Sequence, residues 1–128
     1  MRKAARYMGV IAGLLLGICM SSRAQSKEVV IRMTNKATYQ PAEIRVSKGE
    51  KIIWTNNSDQ IQTITVKTEN FNNKEISYYP DDAEPFSSGA IQPGESFTYT
   101  FFIPGTYEFV SLPSKEKGME GKIIVEEQ

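Results

Sequence analysis

The side chains that could do chemistry in this chain lie mostly in its closing segment. Ser111, Ser114 and Met119 follow one another with two and then four intervening residues, and Gln62 lies near the middle of the chain. Hydroxyl and amide groups donate and accept hydrogen bonds, whereas a thioether is only a weak acceptor and a soft metal ligand. This set of residue types can hold a polar ligand or bond internally, but it includes no strong metal ligand and no base.

The residues available for catalysis are equally limited. The chain contains no histidine, and Cys19 is its only cysteine. A serine nucleophile needs an adjacent base, and no lysine lies in a recognised nucleophile motif, so we expect no enzymatic activity. The acidic group Asp81, Asp82 and Glu84 lacks the spacing of a calcium-binding loop, which favours a solvated acidic loop.

Strands are the elements that must position these side chains. Apolar residues alternate with polar ones in short runs, turn signals separate the runs, and no sustained helical period follows the first 24 residues. The pattern predicts an all-β sandwich or barrel of about seven or eight strands, with Trp54 in its core. The runs are Glu28–Met33, Ile44–Val46, Ile52–Trp54, Ile61–Lys67, Phe97–Phe102, a strand ending near Val110, and Lys122–Val125.

One long segment, Thr68–Pro85, breaks this pattern with several asparagine, aspartate and proline residues. A loop of this length in a small domain is often functional or packed as a flap. Tyr78 and Tyr79 lie in it, and aromatic residues are enriched at protein contacts. The pair fits a recognition surface and fits a cover over one edge of the sandwich equally well.

Residues 1–24 have the features of a secretory signal peptide, with an expected cut after Ala24. Arg2, Lys3 and Arg6 precede the apolar run Val10–Met20. That run is shorter than the roughly 20 apolar residues of a transmembrane helix, so we expect no membrane span in the mature form. Lipidation at Cys19 is the less favoured route, because the bulky Ile18 precedes it.

The expected mature domain, residues 25–128, is mildly acidic. The first 24 residues hold four of the 15 basic residues and none of the 15 acidic ones, which leaves a net charge of −4. Nucleic-acid binding needs a basic patch, so we expect no nucleic-acid partner. The mature domain also has no cysteine and must be stabilised by its core alone.

Three stretches resemble the cupredoxin family, which includes plastocyanin and azurin. They are Tyr39–Asn56, Phe86–Phe101 and Pro104–Val125. The family's closing loop has the order Cys, two residues, His, four residues, Met, and its first histidine lies eight residues past the position of Trp54. The resemblance implies a Greek-key β-sandwich, with a metal pocket between the loop after Trp54 and the closing loop.

In this chain the positions of the four copper ligands hold Gln62, Ser111, Ser114 and Met119. A blue-copper centre needs a thiolate and two imidazoles with a weak axial ligand, and only the axial methionine remains. We therefore expect no cofactor, and we expect the amide and hydroxyl groups to bond to each other or to water as a clasp between the loops.

These residues predict a periplasmic or secreted cupredoxin-like domain without a functional copper site, which acts as a binding or structural module. The expected partner is an unidentified envelope protein. The expected contact surface is the former ligand end together with the Thr68–Pro85 loop and its residues Tyr78 and Tyr79. The alternative is a copper-binding electron-transfer protein with non-standard ligands that include Met119. A pocket for a small polar ligand among Gln62, Ser111 and Ser114 is a third possibility.

Overall fold

A computed structural model describes residues 28–128. The predicted signal peptide, its cleavage site and Cys19 lie outside the described residues. Within the described range, no helix is both long and apolar enough to cross a membrane.

The described chain forms ten strands and one short helix, and the prediction of an all-β fold is confirmed. The strands are β1 (Glu28–Met33), β2 (Tyr39–Gln40), β3 (Glu43–Ser47), β4 (Lys51–Asn56), β5 (Thr65–Val66), β6 (Thr68–Phe71), β7 (Lys74–Ser77), β8 (Ser96–Thr100), β9 (Gly105–Val110) and β10 (Glu120–Glu126). The helix is a 3₁₀ segment, Leu112–Lys117, between β9 and β10.

Eight of the strands form two four-stranded sheets that pack as a Greek-key sandwich. The first sheet has the order β2-β1-β4-β8, and the second has the order β3-β10-β9-β5. Each sheet contains one parallel pair, β1 with β4 and β10 with β3. The eight strands agree with the predicted seven or eight, and β6 and β7 form a separate two-stranded hairpin.

The long segment after β5 is more regular than the sequence predicted. Its first part is the hairpin β6–β7, in which Glu69 pairs with Ile76 and Phe71 pairs with Lys74. Asn72 and Asn73 form the turn with φ angles of 53° and 62°. Asparagine tolerates this left-handed conformation better than most residues, which explains the asparagine pair at the turn.

The predicted strand over Ile61–Lys67 is shorter in the structure. Only Thr65 and Val66 pair with β9, whereas Gln62 makes an isolated bridge with Ile91. The Gln62 side chain and both Thr63 N and Thr63 Oγ1 bond to the closing loop instead of to a neighbouring strand. Side chains therefore alternate along this run, although its backbone does not pair continuously with a neighbouring strand.

The core lies between the two sheets and is rich in aromatic residues. Trp54 and Phe109 are fully buried, and their rings meet edge-to-face with centroids 5.8 Å apart. Tyr39 packs against Phe109 from the other side at 4.7 Å. Edge-to-face pairs of this kind are favourable beyond the area they bury, so this cluster fixes the sheets relative to each other.

Candidate functional site

Two loops meet at one end of the sandwich and bring the four predicted site residues together. One loop follows β4 and carries Gln62, and the other joins β9 to β10 and carries Ser111, Ser114 and Met119. Gln62 is 1% exposed, Ser111 and Met119 are 0% exposed, and Ser114 is 6% exposed. The site is therefore closed to solvent, so its polar groups must find partners inside the protein.

Gln62, Ser111 and Ser114 form a hydrogen-bonded unit that we call the Gln62 clasp. Ser111 Oγ donates to Gln62 Oε1 at 2.6 Å, and Ser114 Oγ donates to the same oxygen at 3.1 Å. The backbone N–H of Thr63 donates to Ser111 Oγ at 3.0 Å. The amide oxygen thus uses both of its acceptor positions, and the two loops are bonded across the site.

Further polar contacts continue from the clasp into the loop after β4. Gln62 Nε2 donates to Ser58 Oγ at 3.4 Å, and Ser58 Oγ donates to Asn56 Oδ1 at 2.6 Å. Asn56 Nδ2 donates to the backbone oxygens of Gln60 and Ile91 at 2.8 and 2.9 Å. Buried hydrogen bonds linked in this way strengthen one another, so the network favours a single loop conformation.

Tyr39 forms a hydrogen bond to the backbone next to the clasp. Its hydroxyl donates at 2.6 Å to the backbone oxygen of Thr63, the residue directly after Gln62. Burial raises the pKa of Tyr39 far above its ordinary value, and the neighbouring Ser111 hydroxyl lowers it in part. The phenol is therefore neutral at physiological pH and remains a donor.

The closing loop is held in shape by its own backbone. Ser114 N donates to Ser111 O at 3.1 Å, and Met119 N donates to Ser114 O at 3.3 Å. The 3₁₀ helix starts next to a proline and ends at Gly118, whose φ of 82° suits glycine. Met119 belongs to the buried hydrophobic core cluster, where its side chain packs among apolar neighbours.

Comparison with known proteins places this geometry in a family. The family model for copper-binding proteins of the plastocyanin/azurin family matches residues 27–126. The chain is a member of the plastocyanin/azurin family. As a cupredoxin it has the expected fold, and the resemblance read from the three sequence stretches is confirmed.

Plant and moss plastocyanins are among the similar proteins. The chain is 27% identical to the plastocyanin minor isoform of Arabidopsis thaliana, over 98% of this chain and 73% of that protein. It is 32% identical to a plastocyanin of Physcomitrium patens, over 68% of this chain and 49% of that protein. A plastocyanin of Daucus carota is 33% identical, over 68% of this chain and 86% of that protein.

Solved bacterial cupredoxins have a similar fold. A pseudoazurin from Sinorhizobium is 25% identical with a TM-score of 0.61, over 77% of this chain and 72% of that chain. A pseudoazurin from Methylobacterium extorquens AM1 is 22% identical, also with a TM-score of 0.61, over 80% of this chain and 77% of that chain. The second likeness, below 25% identity, is a likeness of fold alone.

The residues of the clasp do not fit the copper ion of this family. Among residues 28–128, no group of three histidine, cysteine, aspartate or glutamate side chains is placed to hold a metal ion. Gln62 Oε1 already accepts two hydroxyl protons, and Ser111 Oγ already accepts the N–H of Thr63. Neutral amide and hydroxyl oxygens also lack the softness that Cu(I) prefers and the thiolate that a blue-copper centre needs.

The predicted partner residues of this cupredoxin lie at the base of the β6–β7 hairpin. Tyr79 packs against the core cluster, whereas the Tyr78 hydroxyl donates to Glu69 at 2.7 Å. The hydrogen bond to Glu69 is the main reason that the pKa of Tyr78 is raised. The apolar side chains that the hairpin exposes are Phe71 and Ile76, which are 65% and 39% exposed. The signal for these two residues in the sequence is weak, because each is an isolated apolar residue in a polar segment rich in asparagine.

A charged cluster lies beside the hairpin on the second sheet. The ammonium of Lys67 is 3.4 Å from Glu120, 3.9 Å from Glu108 and 4.0 Å from Glu69. Burial lowers the pKa of Lys67, but these three carboxylates outweigh that effect and raise it above its ordinary value. Because the carboxylates outnumber the ammonium, this surface stays net negative and the lysine stays charged at neutral pH.

Proposed function

We propose that this cupredoxin is an exported binding or structural module in which the Gln62 clasp takes the place of the copper site. The supporting observation is the pair of bonds from Ser111 and Ser114 to one amide oxygen, at 2.6 and 3.1 Å. In this proposal the clasp joins the two loops that copper joins in metal-binding relatives. The domain then has neither a redox nor a catalytic role.

The energetics of the clasp support this proposal. A neutral buried hydrogen bond contributes about 0.5–1.5 kcal/mol, and a buried group that loses its partner costs about 1–3 kcal/mol. A copper ion entering between the loops would break the bonds of Gln62, Ser111 and Ser114. It would gain in exchange only weak oxygen donors and the thioether of Met119.

A copper titration tests the proposal. We expect the full chain to develop no intense visible absorption with Cu(II), and to lose both Cu(II) and Cu(I) to a competing chelator. A Met119→Ala variant is the matched control, because it removes the sole soft donor at the site. Strong colour with a narrow hyperfine splitting in the paramagnetic resonance spectrum would contradict the proposal.

The alternative function is copper-based electron transfer with non-standard ligands, and family membership with a buried Met119 favours it. It requires that Met119 and oxygen donors together hold copper more tightly than a chelator does. In that case the Met119→Ala variant would lose the metal that the natural chain retains. The same titration therefore separates the two functions.

Export and cleavage form a second part of the proposal. The protein recovered from the envelope or medium should begin at Gln25, which mass spectrometry of the intact protein can show. A form that begins with an acylated Cys19 would support the lipoprotein route instead. A form that still begins at Met1 would contradict export.

The proposed contact surface for an envelope partner is the former ligand end together with the hairpin. Phe71 and Ile76 share one face of the hairpin, since their partners in the ladder are Lys74 and Glu69. Substitution of Tyr78 and Tyr79, and separately of Phe71 and Ile76, should reduce recovery of the partner in a pull-down. Unchanged recovery with both sets would remove the hairpin from the proposal.

A further inference from the structure

The end of the sandwich opposite the clasp contains a cavity of about 230 Å³. Its location follows from β4, which runs from Lys51, paired with Thr100, to Asn56 beside the clasp. Six residues of strand at about 3.3 Å each separate the two ends by roughly 20 Å. This far-end cleft is therefore independent of the former copper site.

Four aromatic side chains line the far-end cleft, and two of them, Phe101 and Tyr107, belong to the buried core. Tyr99, Phe101, Phe102 and Tyr107 all line it. The ring of Phe101 lies 4.8 Å from that of Tyr99 and 4.5 Å from that of Tyr107, with tilted or edge-to-face geometry. The Tyr107 hydroxyl donates to the backbone oxygen of Ile103 at 2.6 Å, which fixes the ring in place.

The rim of the cleft carries two carboxylates, Asp82 and Glu84. Their loop contains a tight turn, in which Ala83 N donates to Pro80 O at 3.0 Å. Pro80 packs so closely on Gly105 that a Cβ at Gly105 would lie 2.5 Å from the proline ring. The contact of Pro80 with Gly105 thus anchors the start of the loop, and Asp82 and Glu84 both line the cleft.

The charges of the cleft are all negative. The pKa of Tyr107 is raised by burial, by Tyr99 and by the nearby charge of Asp82, which places that carboxylate within electrostatic reach of the wall. No lysine or arginine lines the cleft. Within residues 28–128, neither Asp82 nor Glu84 forms an ion pair. A cationic occupant would complement these groups, and an anionic one would be repelled.

We propose that the far-end cleft binds a small organic cation that carries a methylated or quaternary ammonium group. Aromatic faces attract such a cation, and the interaction is strongest where water is partly excluded. Phe102, which is 67% exposed, and the half-buried Tyr99 are the rings that offer a surface, because Phe101 and Tyr107 are only 2% and 3% exposed. The two rim carboxylates add charge attraction without requiring a hydrogen-bond donor from the ligand. The volume is below the roughly 300–1,000 Å³ of pockets for drug-sized ligands, so the ligand must be small. This proposal does not depend on the Gln62 clasp.

Choline and its neutral carbon analogue 3,3-dimethylbutan-1-ol form a direct test, because they match in shape and differ in charge. We expect choline to shift the amide resonances of Ala83 and of residues 99–107 in the full chain, followed by nuclear magnetic resonance. The neutral analogue should bind at least about tenfold more weakly, which corresponds to about 1.4 kcal/mol. Binding should weaken as the salt concentration rises.

Variants at exposed positions sharpen the test without threatening the fold. The double variant Asp82→Asn and Glu84→Gln should weaken choline binding by about fivefold or more, since exposed charge pairs contribute up to about 1 kcal/mol each. Phe102→Ala should also weaken it, because Phe102 is 67% exposed and offers one aromatic face. Asp59→Asn, which removes one carboxylate at the other end, should have no effect.

Three results would overturn the proposal. The first is the absence of choline-dependent shifts at residues 82–84 and 99–107 up to high choline concentration. The second is equal binding of the neutral analogue, which would mark the cleft as merely apolar. The third is unchanged binding in both the charge-removed double variant and Phe102→Ala.

Discussion

The polar groups at the two ends of the sandwich differ in whether they have partners inside the protein. At the clasp end, Gln62, Ser111 and Ser114 are buried, and their hydrogen-bonding capacity is used inside the protein. At the far end, Asp82 and Glu84 stand beside an aromatic wall without ion-pair partners among the described residues. Groups that are bonded internally stabilise a loop arrangement, whereas unpaired charges beside a cavity are available to a ligand.

One tyrosine at each end makes the same contact in a different environment. Tyr39 and Tyr107 each donate to a backbone oxygen at 2.6 Å, but the contact of Tyr39 is fully buried and that of Tyr107 is partly buried. Both pKa values are raised, chiefly by burial. The pair therefore compares a single type of hydrogen bond at two degrees of burial.

The largest expected effect comes from rebuilding the copper ligands at the clasp end. The triple variant Gln62→His, Ser111→Cys and Ser114→His should bind Cu(II) with intense visible absorption, because it supplies a thiolate and two imidazoles beside Met119. The control is the double variant Gln62→His and Ser114→His, which lacks the thiolate and should stay nearly colourless. A colourless, folded triple variant would show that the loops no longer have the geometry of a copper site.

Removal of the amide at the clasp end should be the next largest effect. Gln62→Ala leaves the hydroxyls of Ser111 and Ser114 without their acceptor and should lower the free energy of unfolding by about 2–4 kcal/mol. The matched control is Gln60→Ala, an exposed residue of the same loop, which should change it by no more than about 0.5 kcal/mol. Denaturant unfolding of both variants measures the difference, and equal values would contradict a structural role for the clasp.

Removal of the hydroxyls of Tyr39 and Tyr107 should have smaller effects on stability, and the two effects should differ in size. Tyr39→Phe should cost about 1–3 kcal/mol, because it leaves the buried oxygen of Thr63 without that donor, and Tyr107→Phe should cost about 0.5–1.5 kcal/mol. Chemical unfolding at pH 7 measures both. A larger loss at Tyr107 would reverse the assignment of the clasp end as the more tightly closed one.

The raised pKa of Tyr39 also predicts a loss of stability in alkali. The unfolded tyrosine loses its proton near pH 10 while the folded one keeps it, so stability should be constant below that pH and fall above it. For one such group, the free energy of unfolding falls by at most about 1.4 kcal/mol per pH unit. Tyr39→Phe should reduce this slope, and unfolding curves between pH 8 and 11 would show an unchanged slope if Tyr39 is not responsible.

The smallest expected effect is at the surface of the far-end cleft. Phe102→Ala should change the free energy of unfolding by no more than about 0.5 kcal/mol, because its side chain is mostly exposed. Thermal unfolding measures this change. A loss comparable to that of Gln62→Ala would show that the Phe102 ring is part of the core and offers no free surface.

Regular patterns of the sequence predicted the regular parts of the fold. Alternation in Val29, Ile31 and Met33 predicted β1, and the proline and glycine signals predicted the ends of β9 and β10. Patterning failed where side-chain bonding replaced the ladder, as after Ile61, and where an asparagine turn interrupted a long polar segment. Strand prediction depends on local alternation, which does not show the long-range bonds after Ile61 and is absent from the polar strands of the hairpin.

The sequence by itself determined that the chain has no histidine and that Cys19 is its only cysteine. Its resemblance to cupredoxins also predicted that Gln62, Ser111, Ser114 and Met119 occupy the ligand positions. Residue type and spacing are sufficient for that. Only the tertiary structure decided that both serines donate to one amide oxygen, and that a distant loop brings Asp82 and Glu84 to an aromatic wall. Each arrangement joins segments far apart in the chain, and such contacts depend on how the sheets pack rather than on any local pattern.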